Sequence, residues 1–145
     1  MATMHERTGR CLCGAVRLRA RVSDAVQACH CVQCQRWTGG GPYVSVEAEW
    51  LEVEGEPAIR SYRASAWGER MFCGTCGSTL FWRMQGHAPR SIPVGVLDDQ
   101  TGLSVTEEIY VDHRPGWLPA FPDAVQSTEA EETAKLAKFL QGEAP

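Results

Sequence analysis

No run of apolar residues approaches the roughly 20 that a bilayer-crossing helix requires. Met1–Arg10 is polar and lacks the apolar stretch of a secretory signal. The chain is therefore expected in the cytoplasm, with no membrane partner. A basic face is missing too. The arginines are scattered and the formal net charge is -4, whereas phosphate binding calls for clustered positive charge. Nucleic acid is accordingly not expected as a partner. No linker, internal repeat or low-complexity tract interrupts the sequence, and 145 residues suit one domain. Residues 1–145 are read as a single domain. Finally, the cysteine count is not even. Seven cysteines cannot all pair as disulfides within one chain, and reduced cytosolic thiols tend to serve as metal ligands or catalysts.

What is present is mostly β-like. Val16, Leu18, Ala20 and Val22 alternate with Arg17, Arg19 and Arg21, the period of a half-buried strand. Cys31 to Trp37 fits two helical turns, ended by Gly39-Gly40-Gly41. Further strands are expected over Tyr43–Glu47, Trp50–Glu54, Ile59–Arg63, Arg70–Phe72, Thr79–Arg83, Ile92–Leu97 and Glu108–Val111, punctuated by Gly55, Pro57 and Gly68. A short C-terminal helix is expected over about 128–141, where Thr128 and Glu131 form a capping box and Leu136 and Leu140 share a face.

The cysteines fall into three groups: Cys11-x-Cys13, Cys29-x-Cys31-x-x-Cys34 and Cys73-x-x-Cys76. A glycine-flanked Cys-x-x-Cys turn presents two thiolates to one metal and leaves backbone amides free to bond the sulfurs. A structural zinc takes four ligands, so Cys73 and Cys76 need a second pair, and Cys11 and Cys13 supply it if the two loops meet. The competing reading of Cys73–Cys76 as a redox dithiol lacks the surrounding βαβ pattern. The middle group offers three sulfurs. It can wrap one face of a zinc ion and leave the fourth position to water or substrate, as catalytic zinc sites do, or it can be closed by His87 or His113 into a structural site. His30 is a poor ligand, because Cys29 and Cys31 would both face the metal and turn it away. Three thiolates leave zinc a mild Lewis acid, better matched to a soft substrate thiol than to water.

Gly9-Arg-Cys11-Leu-Cys13-Gly14-Ala-Val16, Cys29-His30-Cys31-x-x-Cys34, Phe72-Cys73-x-x-Cys76-Gly77, Gly95-Val-Leu97-Asp98 and Trp117 together resemble the glutathione-dependent formaldehyde-activating family, also called the Gfa or centromere protein V type. The likeness runs over about 9–117. It implies a mainly β, Mss4-like fold, a tent of stacked antiparallel sheets, and two zinc ions per chain. The structural zinc would lie on Cys11, Cys13, Cys73 and Cys76, and the second on Cys29, Cys31 and Cys34, which would be the catalytic ligands. The implied activity is that of a carbon–sulfur lyase joining formaldehyde and glutathione into S-(hydroxymethyl)glutathione, with glutathione or a similar small thiol as partner.

No Asp or Glu stands beside the middle cysteines as a general base, and a thiol activated on zinc can do without one. His30 and Gln33 are candidate donors to a developing alkoxide. Arg36, Arg70 and Arg83 are candidates for glutathione carboxylates, and Trp37, Trp82 and Trp117 for pocket walls. The alternative function is a non-catalytic binding module of the same fold in which both zincs are structural. A redox or oxidation-repair role would need a spare reactive cysteine, and the family assignment leaves none.

Overall fold

The structure is a computed structural model that describes residues 2–142. Nine strands and two α-helices are present among them. No helix among the described residues is long and apolar enough to cross a membrane. The contacts divide the chain into two compact units. One comprises residues up to Val26 together with Val44–Ser104, the other Gln27–Tyr43 and the chain from Val105.

The first unit begins with β1 (Met4–Arg10), antiparallel to β2 (Arg17–Cys29) in the register Met4↔Ser23 to Arg10↔Arg17. The alternation expected here is present: Val16, Leu18, Ala20 and Val22 are buried. Arg19 and Arg21 stay at the surface and reach Glu52 at 3.1 Å and Glu49 at 2.8 Å on β3 (Tyr43–Glu54). Such exposed pairs contribute little stability, so the buried face decides the register. The two pieces expected at Tyr43–Glu47 and Trp50–Glu54 are one continuous strand.

Next come β4 (Ile59–Tyr62), β5 (Gly68–Cys73), β6 (Thr79–Met84) and β7 (Ser91–Pro93). The strand order is β4-β5-β6-β7-β3-β2, and Leu80, Phe81, Val46 and Ile92 fill the core with the β2 residues. The strand expected over Ile92–Leu97 stops at Pro93. Val94–Val96 turns as a 3-10 helix, and Leu97 then bridges to Gly9.

The second unit holds the end of β2, α1 (Val32–Thr38), β8 (Ser104–Ile109), β9 (Val125–Ser127) and α2 (Glu129–Leu140). α1 ends on Gly39 in the left-handed conformation (φ 87°), whose N–H reaches the Gln35 carbonyl. β8 lies beside β2 in strand order and pairs in parallel with β9. The strand expected over Glu108–Val111 thus ends at Ile109, and Val111–His113 is a 3-10 turn. α2 starts with the expected capping box between Thr128 and Glu131.

Gly55 lets two backbone segments touch, and Gly95 serves as its control. At Gly55 (φ +85°) an added Cβ would collide with the Ala15 carbonyl oxygen, in the loop that carries Cys11 and Cys13. Gly95 faces open space. Gly55→Ala should lower unfolding stability by about 2–4 kcal/mol through left-handed strain and overlap, and Gly95→Ala by less than about 0.5 kcal/mol. Urea midpoints of the two variants against the parent check this.

Candidate functional site

In the first unit, the loop after β1 and the turn between β5 and β6 come together. The sulfurs of Cys11, Cys13, Cys73 and Cys76 all lie within 4.8 Å of one another. Cys11 Sγ is 3.6 Å from Cys13 Sγ, which is 3.9 Å from Cys73 Sγ. A tetrahedron of sulfurs around zinc, with bonds of about 2.3 Å, has edges of about 3.8 Å. Disulfide sulfurs would sit at about 2.05 Å, and none of the seven cysteines forms a disulfide.

The turns are shaped for sulfur. Backbone N–H groups point at Cys11 Sγ from Val16 (3.3 Å), at Cys13 Sγ from Ala15 (3.5 Å) and at Cys73 Sγ from Cys76 (3.5 Å). Ser78 joins the loops. Its hydroxyl accepts from the Leu12 N–H at 2.9 Å and lies 3.2 Å from Cys76 Sγ. The Ser78 hydroxyl and backbone hold the Cys76 thiol down to about 5. At Cys13 the Ala15 N–H favours the thiolate, but residual desolvation and three neighbouring sulfurs push the thiol up to about 11. Four sulfurs in this space cannot all ionise without a cation among them. The donor set and spacing fit zinc.

In the second unit, Cys29 ends β2, Cys31 caps α1 and Cys34 lies in its first turn. Their sulfurs also lie within 4.8 Å of one another, and the Cys34 N–H donates to Cys31 Sγ at 3.3 Å. Cys29 and Cys34 are buried, while Cys31 is partly exposed. Sulfur contacts with Cys31 and Cys34, together with burial, drive the Cys29 thiol far above its ordinary range. This group too fits a soft cation. Neither His87 nor His113 belongs to the gathered set. His87 lies in the turn after β6, and His113 Nε2 is 2.7 Å from Glu129 Oε2.

The remaining candidates are dispersed. His30 is not a surface donor: it is fully buried, with Nε2 2.8 Å from Glu108 Oε1. Gln33 and Arg36 are exposed on α1. Arg70 is buried in β5, and Arg83 donates to Glu69 at 2.9 Å. Trp37 packs on Tyr43 with ring centroids 4.9 Å apart, Trp82 meets Trp67 edge to face, and Trp117 is exposed.

A family model described as glutathione-dependent formaldehyde-activating enzyme matches residues 6–113, a span that contains all seven cysteines. The chain belongs to this family. A Halomonas elongata protein named as a candidate glutathione-dependent formaldehyde-activating enzyme is 32% identical over 124 residues, covering 76% of this chain and 78% of the relative. A Schizosaccharomyces pombe protein named as an uncharacterized lyase is 27% identical over 115 residues, covering 77% and 83%. The fold is similar to that of a crystallised Rhodobacter sphaeroides protein, with a TM-score of 0.54 at 22% identity over 83% of this chain and 99% of the other. In this member of the formaldehyde-activating family, Trp117 lies beyond the matched span.

Two residues near the middle group escaped the sequence reading. Glu108 reaches it through His30 from 78 positions away. Tyr110 follows β8 with φ 57° and ψ 42°, a left-handed conformation costly for a bulky residue. Burial, followed by the charges of Cys29 and Cys31, pushes its hydroxyl up to about 12.

His113 gives a pH prediction. Its bond to Glu129 raises its pKa above 6.5, against some desolvation. The pair therefore stabilises the 3-10 turn against α2 fully below the unfolded value, and the contribution fades as pH rises through the raised one. It is small at this exposure. An NMR titration should place the His113 midpoint above 6.5, and Glu129→Gln should bring it down.

Proposed function

We propose that this chain is a carbon–sulfur lyase-type enzyme that acts on the adduct of a small thiol and formaldehyde, as an S-(hydroxymethyl)glutathione synthase does. The observation that carries this reading is the group of three sulfurs at Cys29, Cys31 and Cys34, inside the matched span and without a fourth protein ligand among the described residues. Cys11, Cys13, Cys73 and Cys76 would hold a structural zinc, and the three middle cysteines a second. Zinc bound by the middle group would lower the pKa of a substrate thiol and keep it a nucleophile at neutral pH.

The chain's own residues arrange the rest. Cys31, the partly exposed member, marks the side from which a thiol can approach. Buried Cys29 and Cys34 keep water from the other side. The reaction is a redox-neutral addition. The thiol sulfur bonds to the carbonyl carbon, and the proton lost from sulfur ends on the former carbonyl oxygen. The reverse reaction breaks the same carbon–sulfur bond. Glutathione is the thiol that the family description and the Halomonas relative's name suggest.

Elemental analysis of reduced protein tests the assignment. Two zinc ions per chain are expected, one removed more readily by a chelator and protected by glutathione. One tightly held zinc that is indifferent to glutathione would favour the non-catalytic binding module instead. Cys73→Ser should lose one zinc and cost several kcal/mol, on the order of the metal's contribution to folding. Cys31→Ser should keep the fold and lose formaldehyde–thiol exchange, read by NMR line broadening of the adduct. Equal collapse of both variants would contradict the division of roles.

A further inference from the structure

Among the described residues, the second unit buries two titratable side chains completely, and the addition reaction above uses neither. His30 and Glu108 are both 0% exposed. Imidazole Nε2 donates to Glu108 Oε1 at 2.8 Å, and Arg114 donates to the same oxygen at 3.2 Å. The other carboxylate oxygen accepts from the Phe121 N–H at 3.0 Å and from Gln126 Nε2 at 3.4 Å. A carboxylate satisfied by four donors is a fixed point in this unit.

His30 is the single residue between two members of the three-sulfur group. The chain leaves β2 at Cys29, and Cys31, which caps α1, has the near-extended angles φ -58° and ψ 153°. In extended chain, alternate side chains face opposite ways. Cys29 and Cys31 therefore share one side, where their sulfurs gather with Cys34 Sγ, and the imidazole occupies the other. Rotating the His30 peptide planes would swing both sulfurs at once. Three bonds prevent it: His30 N–H to the Ile109 carbonyl (3.0 Å), Gln35 Nε2 to the His30 carbonyl (2.7 Å), and the imidazole to Glu108. The first two fix the backbone's position. The third anchors the side chain itself, so that a rotation turning the flanking sulfurs would also have to pull the imidazole off a fixed carboxylate.

We propose that the buried His30–Glu108 pair is the positioning device of the three-cysteine group, aiming the Cys29 and Cys31 sulfurs and thereby setting how long that group retains its metal. The proposal rests on the reading of that group as a zinc site. The role is indirect, since neither side chain belongs to the gathered ligand set. Partners that orient ligands from behind typically change metal affinity by about 10–100-fold.

The test is zinc release to a chromogenic chelator from the full, reduced chain, resolved into its two phases. His30→Ala should speed release from the middle group by about 10-fold or more and leave the four-cysteine phase unchanged. His30→Gln, whose amide N–H reaches about as far as Nε2, should restore most of the retention in the parent and none in a Glu108→Ala background. Unchanged middle-group release, equal acceleration of both phases, or no rescue by glutamine would overturn the proposal. If His30→Ala does not fold, Glu108→Gln decides by the same two-phase readout. If the parent itself holds no metal at the middle group, the functional reading fails separately. Amide hydrogen exchange of residues 29–38 against 73–78 then decides the positioning role. Faster exchange confined to the first stretch upholds it, and no difference sinks it.

Discussion

Sulfur atoms crowded within 4.8 Å of one another impose the constraint around which the rest of this chain is arranged. Thiols can pack at that distance, but thiolates repel, and each added neighbour makes ionising the next harder. At the four-cysteine group the Ser78 hydroxyl and backbone draw Cys76 down, while Cys13, despite the Ala15 N–H, is pushed up by desolvation and its neighbouring sulfurs. A soft divalent cation removes the repulsion by letting all sulfurs ionise together. The backbone anticipates that state, since the amides of Val16, Ala15, Cys76 and Cys34 already point at sulfur. Such bonds favour the thiolate and hold the turns in ligating shape.

Supporting that geometry requires close contacts that only small residues allow. Gly55 brings its backbone against Ala15, and Gly74 donates to the Ala58 carbonyl at 2.7 Å, where a Cβ would strike the Arg60 stem. These contacts hold the two cysteine loops against the 3-10 turn Glu56–Ala58. Behind them the alternating strand from Val16 to Val22 buries its apolar side and fixes the first loop's exit. Sheet register and sulfur position are thus one problem in the first unit. A one-residue slip of β2 would expose its apolar face and displace Cys11 together.

The parts legible from sequence are those governed by neighbours along the chain. Cysteine spacing, the two turns of α1 with their glycine stop, the Thr128 capping box and the β2 alternation are all local, and they appear where the residues place them. β1 was hidden because its two buried residues are an arginine and a glycine, Arg7 and Gly9. Arg7 is held by the Asp99 and Thr101 carbonyls at 2.7 and 2.6 Å, partners more than ninety positions away. β9 is three residues long, and two of them are exposed. β3 reads as two pieces because Ala48 and Glu49 look like a break, although Ala48 is buried and its N–H bonds the Arg90 carbonyl. Glu108 was illegible for the same reason as Arg7. Nothing local marks a glutamate for complete burial, and its four donors come from His30, Arg114, Phe121 and Gln126.

The two cysteine groups also differ in how much chain they close, and this bears on what each can do. Cys13 and Cys73 are 60 positions apart, whereas Cys29, Cys31 and Cys34 fall within six residues. Closing the longer loop costs about 2 kcal/mol more chain entropy than closing the shorter. A metal on the four-cysteine group would therefore help to hold distant segments together, and its binding free energy would be largely folding free energy. The three-cysteine group is local, so the fold would depend far less on a metal held there. What that group needs instead is orientation, because a six-residue loop retains alternative ways to turn its side chains. The buried His30, placed between Cys29 and Cys31 and bonded to a four-donor carboxylate, would meet that need without itself joining the gathered sulfurs. On the proposed reading, stability and exchangeability would fall to different cysteines: the long loop would carry the first, and the short loop, aimed from behind, the second.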